Sequence, residues 1–304
     1  MEKGRDAVVN AADKRYIALT EQTSNRIQVM KAEHPNWDEE QAIFWEWDPN
    51  VPGVVPNFQV FWKNPADVKL RWNALHQCFC MLAVYGNGTA MIEYSPQKTR
   101  LWTGHVLGNA HAAELLPDGN IAIAASHGHY VRIYTSSQGP DSTDYVEYPL
   151  VGGHGVLWEP QKEQLWALGD DELIVLRVAG TAAAPELQQV ARYALPAHGG
   201  HDLYPVYGKP EWLWVTTVSG VYQFHKPSAA WSDSFDHVER IQQPDVKSIG
   251  NFPDGGVVLT KPKEGGLYVW TTDEVELIAS TGRETRLKTG AGIYKARVWC
   301  ADYH

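Results

Sequence analysis

Asn109-Ala-His-Ala-Ala-Glu-Leu-Leu-Pro-Asp-Gly-Asn-Ile-Ala-Ile-Ala-Ala-Ser-His-Gly-His-Tyr-Val-Arg-Ile-Tyr134 contains the pattern on which the fold turns. A short apolar run follows His111, and Pro117-Asp-Gly119 supplies turn residues. Two further strand-like runs, 120–125 and 130–134, are separated by Ser126-His-Gly-His129, and a fourth covers 144–150. Four short strands, each bounded by turn chemistry, then give way to Gly153-His154, where the plan begins again.

The same approach recurs along the chain: a small or polar residue, then His or Lys, then a brief apolar run. It occurs at Asp67-Val-Lys-Leu-Arg-Trp72, at Gly153-His-Gly-Val-Leu-Trp158 and at Gly200-His-Asp-Leu-Tyr204. It returns at Asp245-Val-Lys-Ser-Ile249 and Ile293-Tyr-Lys-Ala-Arg-Val-Trp299. The marked residues are Lys69, His111, His154, His201, Lys247 and Lys295, spaced by 42, 43, 47, 46 and 48. Four strands in such a period are one blade of a β-propeller. Strands are expected at 164–168, 172–178 and 187–194, then at 212–217, 220–225 and 237–241. Before Lys69 the chain offers three strands, 16–21, 26–31 and 43–47; at its end it offers one unpaired strand, 294–300, which carries the sixth mark. Pairing that last strand with the first three closes a ring of six blades with no free sheet edge at the seam. Seven blades, with a degenerate one within 33–66, is the competing architecture. Residues 1–14 are expected to form an arm ahead of one propeller domain, 15–304.

Composition agrees. The 304 residues include 13 Trp, 14 Tyr, 26 Gly and 18 Pro, which suits short strands and tight turns. A net charge of −10 argues against a nucleic-acid partner. Apolar runs are too short to span a bilayer, so no membrane partner is expected. Residues 1–15 are charged, without an apolar signal-peptide core, and three cysteines make no disulfide framework. Free thiols and a cytoplasmic location are expected, or a secreted one if a leader has been removed, with a monomer or weak oligomer as the state.

The chain resembles β-propeller proteins over nearly its whole length. Gly153-His154 and Gly200-His201 are similar to the Gly-His of WD40 repeats. That likeness stops where WD40 blades carry Trp-Asp, since Glu93-Tyr94, Arg132-Ile-Tyr134 and Gln223-Phe224 stand there instead. The repeat pattern looks more like a family of six-bladed propellers of unsettled function. The resemblance to propeller polysaccharide lyases, distant and without a closely matching motif, implies His, Arg and Tyr around a channel mouth, in some members with a metal. The calcium-dependent lactonase type needs oxygen ligands where this chain has His and Lys.

Residues at equivalent inner-strand starts share a level around the axis, so the six marked residues are expected to ring one mouth, with Arg71 and Arg297 on the same strand faces. Cations in a narrow channel repel one another unless an anion binds. Lys69, Arg71, His127, Lys247, Lys295 and Arg297 are therefore candidates for holding a small anionic or carbohydrate substrate. His111, His154, His201 and Tyr204 are candidates for acid–base work. The expected reaction is β-elimination on a uronate-type sugar, in which neutralising the carboxylate acidifies the neighbouring C–H. Hydrolysis is the alternative enzymatic chemistry. The three histidines are also candidate ligands for Zn, Mn or Fe. A non-catalytic binding platform, with a plugged channel and an apolar rim patch, is the competing class.

Overall fold

The computed structural model describes residues 15–50 and 61–303. The chain begins with β1 (Tyr16–Glu21), β2 (Arg26–Lys31) and β3 (Ile43–Trp47). The first complete blade is β4 (Pro65–Asn73), β5 (Cys78–Tyr85), β6 (Gly88–Glu93) and β7 (Arg100–His105). The second is β8 (Ala110–Leu115), β9 (Ile121–Ala125), β10 (Tyr130–Tyr134) and β11 (Tyr145–Pro149). The third is β12 (Gly155–Glu159), β13 (Gln164–Leu168), β14 (Glu172–Thr181) and β15 (Ala184–Ala194). The fourth is β16 (Asp202–Pro205), β17 (Trp212–Thr216), β18 (Val221–His225) and β19 (Ala230–Ser232). The fifth is β20 (Ser248–Asn251), β21 (Val257–Thr260), β22 (Glu274–Ala279) and β23 (Gly282–Leu287). The last strand, β24 (Ile293–Val298), joins β1, β2 and β3 in the order β24-β1-β2-β3, so six four-stranded antiparallel sheets close the ring.

Closure is fixed by register and by hydroxyls. Ile17 pairs Val298 and Glu21 pairs Ile293, with an irregularity between Leu19 and Glu21. At that point Thr20 Oγ1 accepts from Lys295 N at 2.8 Å and donates to Lys295 O at 3.3 Å, so its hydroxyl replaces the lost ladder bonds. The other edge of β24 meets the fifth blade through side chains. Ser248 Oγ accepts from Ala296 N and donates to Ala296 O, while Thr260 Oγ1 donates to Tyr294 O. The apolar clusters lie between blades: Ala112, Ala122 and Val131 of the second pack against Val156, Leu165 and Ile174 of the third.

The six-blade expectation holds over the competing seven: among the described residues of 33–66, Ile43–Trp47 is the outer strand of the closing blade. One strand expectation is corrected. Residues 237–241 are not a strand: Val238–Ile241 is a helical turn, with apolar Val238 and Ile241 three apart, and Ala230–Ser232 forms the outer edge. The expected arm, 1–14, lies outside the described residues. Cys78, Cys80 and Cys300 are free, with only Cys80 fully buried. Among the described residues no helix is long and apolar enough to cross a membrane.

Charged side chains fill the channel. Asp67, Lys69 and Arg71 alternate along β4, and Lys295 and Arg297 along β24, so each set points to one strand face. Arg297 reaches Asp202 at 2.6 Å through both terminal nitrogens and Asp67 at 2.8 Å through Nε. Lys295 Nζ lies 2.9 Å from Asp202 Oδ1. Arg71 grips Glu114 at 2.7 and 2.9 Å, and Lys69 Nζ lies 3.3 Å from Glu114 and 2.6 Å from Val156 O. The C-terminal segment closes the far end: Arg71 and Tyr207 donate to Asp302 O, and Tyr303 donates to Leu115 O.

A chain ending before Ile293 should therefore lose cooperative folding, checked by circular dichroism and thermal melting; an unchanged melt would contradict closure by β24. Asp202→Ala, which leaves two buried cations short of an anion, should cost about 3–5 kcal/mol in denaturant unfolding.

Candidate functional site

The marked residues do not share one level. His154, His201 and Lys247 immediately precede their inner strands and His111 is the second residue of β8, whereas Lys69 is the fifth of β4 and Lys295 the third of β24. The longer lead-in of β4 carries Lys69 and Arg71 down into the channel. The expectation of a cation ring awaiting an external anion is corrected on the same ground: Glu114, Asp67 and Asp202 meet Lys69, Arg71, Lys295 and Arg297 within the protein.

What remains at the mouth is an arc of imidazoles. The rings of His111 and His154 stand 4.3 Å apart at 30°, and those of His154 and His201 stand 5.4 Å apart, nearly edge to face. Lys247 Nζ follows, 3.0 Å from His201 Nε2. Lys295 Nζ lies below, 3.4 Å from His201 O. The glycines that precede two of these histidines permit the crowding. A Cβ on Gly153 would meet Tyr130 O at 2.8 Å, and one on Gly200 would meet Gly169 O at 2.3 Å. Only glycine lets the inner-strand starts press so closely on the preceding blade.

Hydrogen bonds fix the tautomers. Gly152 O can only accept, so His154 donates from Nδ1 at 2.6 Å and its Nε2 carries the lone pair. Asn109 Nδ2 donates to His111 Nε2 at 2.9 Å, which places the His111 proton on Nδ1, facing Tyr294 Oη at 3.4 Å. Lys247 donates to His201 Nε2, so His201 carries its proton on Nδ1, a buried atom with no partner among the described residues. Burial, with the neighbouring ammonium groups, pulls His154 down to about 4 and His201 down to about 3. Burial and then His154 drive His111 well below the ordinary imidazole value. All three are neutral at neutral pH. Burial also lowers Lys247. For Asp202 burial acts upward, but Arg297 and Lys295 outweigh it and hold the carboxyl below its usual range.

Lys247 stands apart from the other buried cations. Lys69, Arg71, Lys226, Lys295 and Arg297 each have a carboxylate partner. Among the described residues Lys247 makes no ion pair: its acceptor is a neutral imidazole, and the Asp245 carboxylate acts on it only from beyond contact distance.

The remaining candidates fall elsewhere. His127 is exposed on the turn between β9 and β10, on the mouth side. Tyr204 is buried deep in the channel, under Arg297, with its hydroxyl on Val298 O. Tyr294 is the tyrosine that meets the histidines; its place beside Lys295 in the last repeat was the available signal for it. The three expected metal ligands do meet, but His111 has both nitrogens engaged and stacks on His154 rather than sharing a coordination point with it. Among the described residues no group of three or more His, Cys, Asp or Glu is arranged to hold a metal ion.

The chain belongs to DUF6528, a family of unknown function, whose model matches residues 2–304. A protein of unknown function from Bacteroides caccae is similar over 93% of this chain and 98% of its own, with 14% identity and a TM-score of 0.62. A functionally unknown protein from Desulfotomaculum acetoxidans is similar over 95% and 100%, with 11% identity and a TM-score of 0.51. Virginiamycin B lyase from Staphylococcus aureus, crystallised as an inactive variant with quinupristin, is similar over 89% and 80%, with 13% identity and a TM-score of 0.48. Identities this low speak for the fold alone. No curated protein matches the chain.

The depressed histidines set a pH dependence. A folded pKa below the unfolded value of 6.5 gives stability that is complete above 6.5 and lost as pH falls through the folded values, about 4 and about 3. Denaturant midpoints should fall as pH is lowered from 6.5 towards 4. The His154→Gln, His201→Gln double variant should lose most of that slope.

Proposed function

We propose that the histidine-lined mouth is the functional site and that it takes a small anionic molecule, with β-elimination on a uronate-type sugar as the reaction it serves best. The observation that carries this reading is Lys247, a buried ammonium hydrogen-bonded to an imidazole where, among the described residues, every other buried cation makes an ion pair. A substrate carboxylate would supply the contact ion pair that Asp245 does not make, since hydrogen bonds between ionised groups are the strong ones. The count of charges points the same way. Among the described residues Lys69, Arg71, Lys295 and Arg297 pair with three carboxylates, Asp67, Glu114 and Asp202, which leaves a positive surplus beneath the imidazoles.

The roles follow from the tautomers. Lys247 would neutralise the carboxylate and so acidify the C–H next to it. His154 Nε2, with its lone pair free of any partner among the described residues, would take that proton. The C–H electron pair becomes the new C=C bond, and the C–O bond at the next carbon breaks with its electrons on oxygen. Tyr294 Oη, which accepts from His111 and retains its own proton, would protonate the leaving oxygen. Burial keeps that phenol in its protonated form. His111 is the positioning residue between base and acid. Lys69, Arg71 and Arg297 serve this reading indirectly, through the field of the channel, and no metal enters it.

A second reading, a non-catalytic binding platform, is favoured by the sealed lower channel, where Tyr303 and Asp302 close the far end. It shares the anion site and differs in chemistry.

The discriminating experiment is a survey of uronate-bearing disaccharides, followed by the ultraviolet absorbance of the unsaturated product. Lys247→Gln should raise KM about tenfold or more, while Tyr294→Phe and His154→Ala should each lower kcat about 100-fold. Because His154 titrates at about 4, kcat/KM should hold from neutrality down to about pH 4 and fall below it. Glucuronate binding that Lys247→Gln abolishes, with no unsaturated product from any disaccharide, would leave the platform reading in place.

A further inference from the structure

The turns between second and third strands lie on the mouth side of the ring, because each second strand runs antiparallel to an inner strand that starts there. Four of the complete blades make this turn within 86–87, 126–129, 169–171 and 217–220, and the closing blade uses 22–25. The fifth blade instead carries 261–273, by far the longest of the set. Long connections in compact folds are disproportionately functional.

This loop is ordered by its own hydrogen bonds. Lys263 N donates to Thr271 O, Gly266 N to Lys263 O and Tyr268 N to Thr271 Oγ1, and Thr271 is fully buried. Its outer part nonetheless shows water four successive apolar residues, Leu267, Tyr268, Val269 and Trp270, with Val269 87% exposed. The rings of Tyr268 and Trp270 stand 4.9 Å apart at 17°, one stacked slab, and Trp270 Nε1 donates to Gln22 Oε1 at 3.2 Å, which anchors its plane.

We infer that this loop carries a ring-stacking subsite for a neighbouring sugar residue, built on Tyr268 and Trp270 and continuous with the histidine mouth. This deepens the uronate reading above and rests on it for the anionic end of the ligand. Continuity follows from Thr272, two residues beyond Trp270. Thr272 bridges Ile293, and the next residue, Tyr294, is the one at His111. The surroundings select the occupant. A depression of about 240 Å³, lined by Leu267, the residue before Tyr268, with Thr23, Lys263, Glu264 and Asp273 but by neither aromatic ring, adjoins the loop and has room for a single small ring. Protein-binding cores are depleted of charge, whereas the depression on this loop is edged by Lys263, Glu264 and Asp273. A pyranose has the matching form, with C–H groups on its face for the rings and hydroxyls at its edge for the charges. The slab is already rigid, so a sugar would lie on it without ordering cost to the protein.

The test compares glucuronate, a uronate-bearing tetrasaccharide and a neutral tetrasaccharide by calorimetric titration. Wild type should bind the uronate tetrasaccharide more tightly than glucuronate. Trp270→Ala should weaken the tetrasaccharide about tenfold, leave glucuronate unchanged and leave the melting temperature within a degree or so. Trp270→Phe should restore most of the affinity. Identical tetrasaccharide binding by wild type and the Tyr268→Ala, Trp270→Ala double variant, or binding of neither tetrasaccharide by wild type, overturns the subsite. Loss of glucuronate binding alone, with the neutral tetrasaccharide still bound and still sensitive to Trp270→Ala, would sustain the subsite and sink the uronate reading.

Discussion

Six inner strands that face one another across a channel leave a row of backbone groups with no ladder partner, and the bonds that meet them govern the rest of this molecule. Water in a narrow channel could serve. Here side chains do so at many points: Lys69 on Val156 O, Asp202 on Ile249 N, Ser248 on both groups of Ala296, Thr260 on Tyr294 O. Several of those side chains are charged, so they require one another. Asp202 is the junction, joining Lys295 and Arg297 of the closing blade to the fourth and fifth blades. Buried ion pairs add little net stability against an apolar core of the same shape, but removing one member is costly. Their effect is therefore to fix which blade meets which.

That lattice also decides where chemistry can occur. Below the histidines the channel is occupied by paired charges and sealed by Asp302 and Tyr303, so a ligand has access only to the mouth. There the residues change character. Carboxylates give way to neutral imidazoles, and the single cation in their line makes no ion pair among the described residues. The transition is abrupt because Asp202 follows His201 directly: one residue faces the mouth and the next belongs to the lattice.

The ring was legible in the sequence because blades repeat. Turn chemistry at Pro117-Asp-Gly119, the even spacing of the marks and the unpaired strands at either end together imply closure by β24, and the strands expected at 16–21, 26–31, 43–47, 130–134 and 164–168 fall on those residues. The failure at 237–241 came from reading as a strand a short segment whose apolar residues, Val238 and Ile241, stand three apart and so fit a helical turn. The level of the marks was misjudged for Lys69 and Lys295 because a repeat alignment carries no information on how many residues precede the first ladder bond. The channel carboxylates Glu114 and Asp202 stand in the quoted repeats, but nothing in the repeat pattern pairs them with the channel cations. Asp67 was quoted within a repeat but given no role, since sequence adjacency does not reveal contacts as distant as Arg297 with Asp67. Tyr204 was chosen for its place in the fourth repeat, although three residues along a strand carry a side chain well away from the mouth. The exposed loop 261–273 had no repeat counterpart with which to be compared.

Neutral imidazoles beside an ammonium are a poor base in the empty site, and that is informative about how the mouth would work. A base that titrates at about 4 takes up a proton reluctantly at neutral pH. An anion placed on Lys247 changes this balance. At about 4 Å and an effective dielectric of about 20, a single negative charge favours a neighbouring imidazolium by about 4 kcal/mol. That is about three pKa units, enough to lift His154 towards neutrality. The same charge offsets the field of Lys247 and Lys295, which contribute to holding the imidazoles down. Basicity and occupancy are then coupled: the histidines become competent to take a proton when the carboxylate that acidifies the C–H is in place. A protein carboxylate in contact with Lys247 would raise the imidazoles permanently and remove that coupling; Asp245 acts on Lys247 only from beyond ion-pair distance. The lack of a contact ion pair at Lys247 among the described residues is thus the feature that ties the electrostatics of the mouth to its ligand.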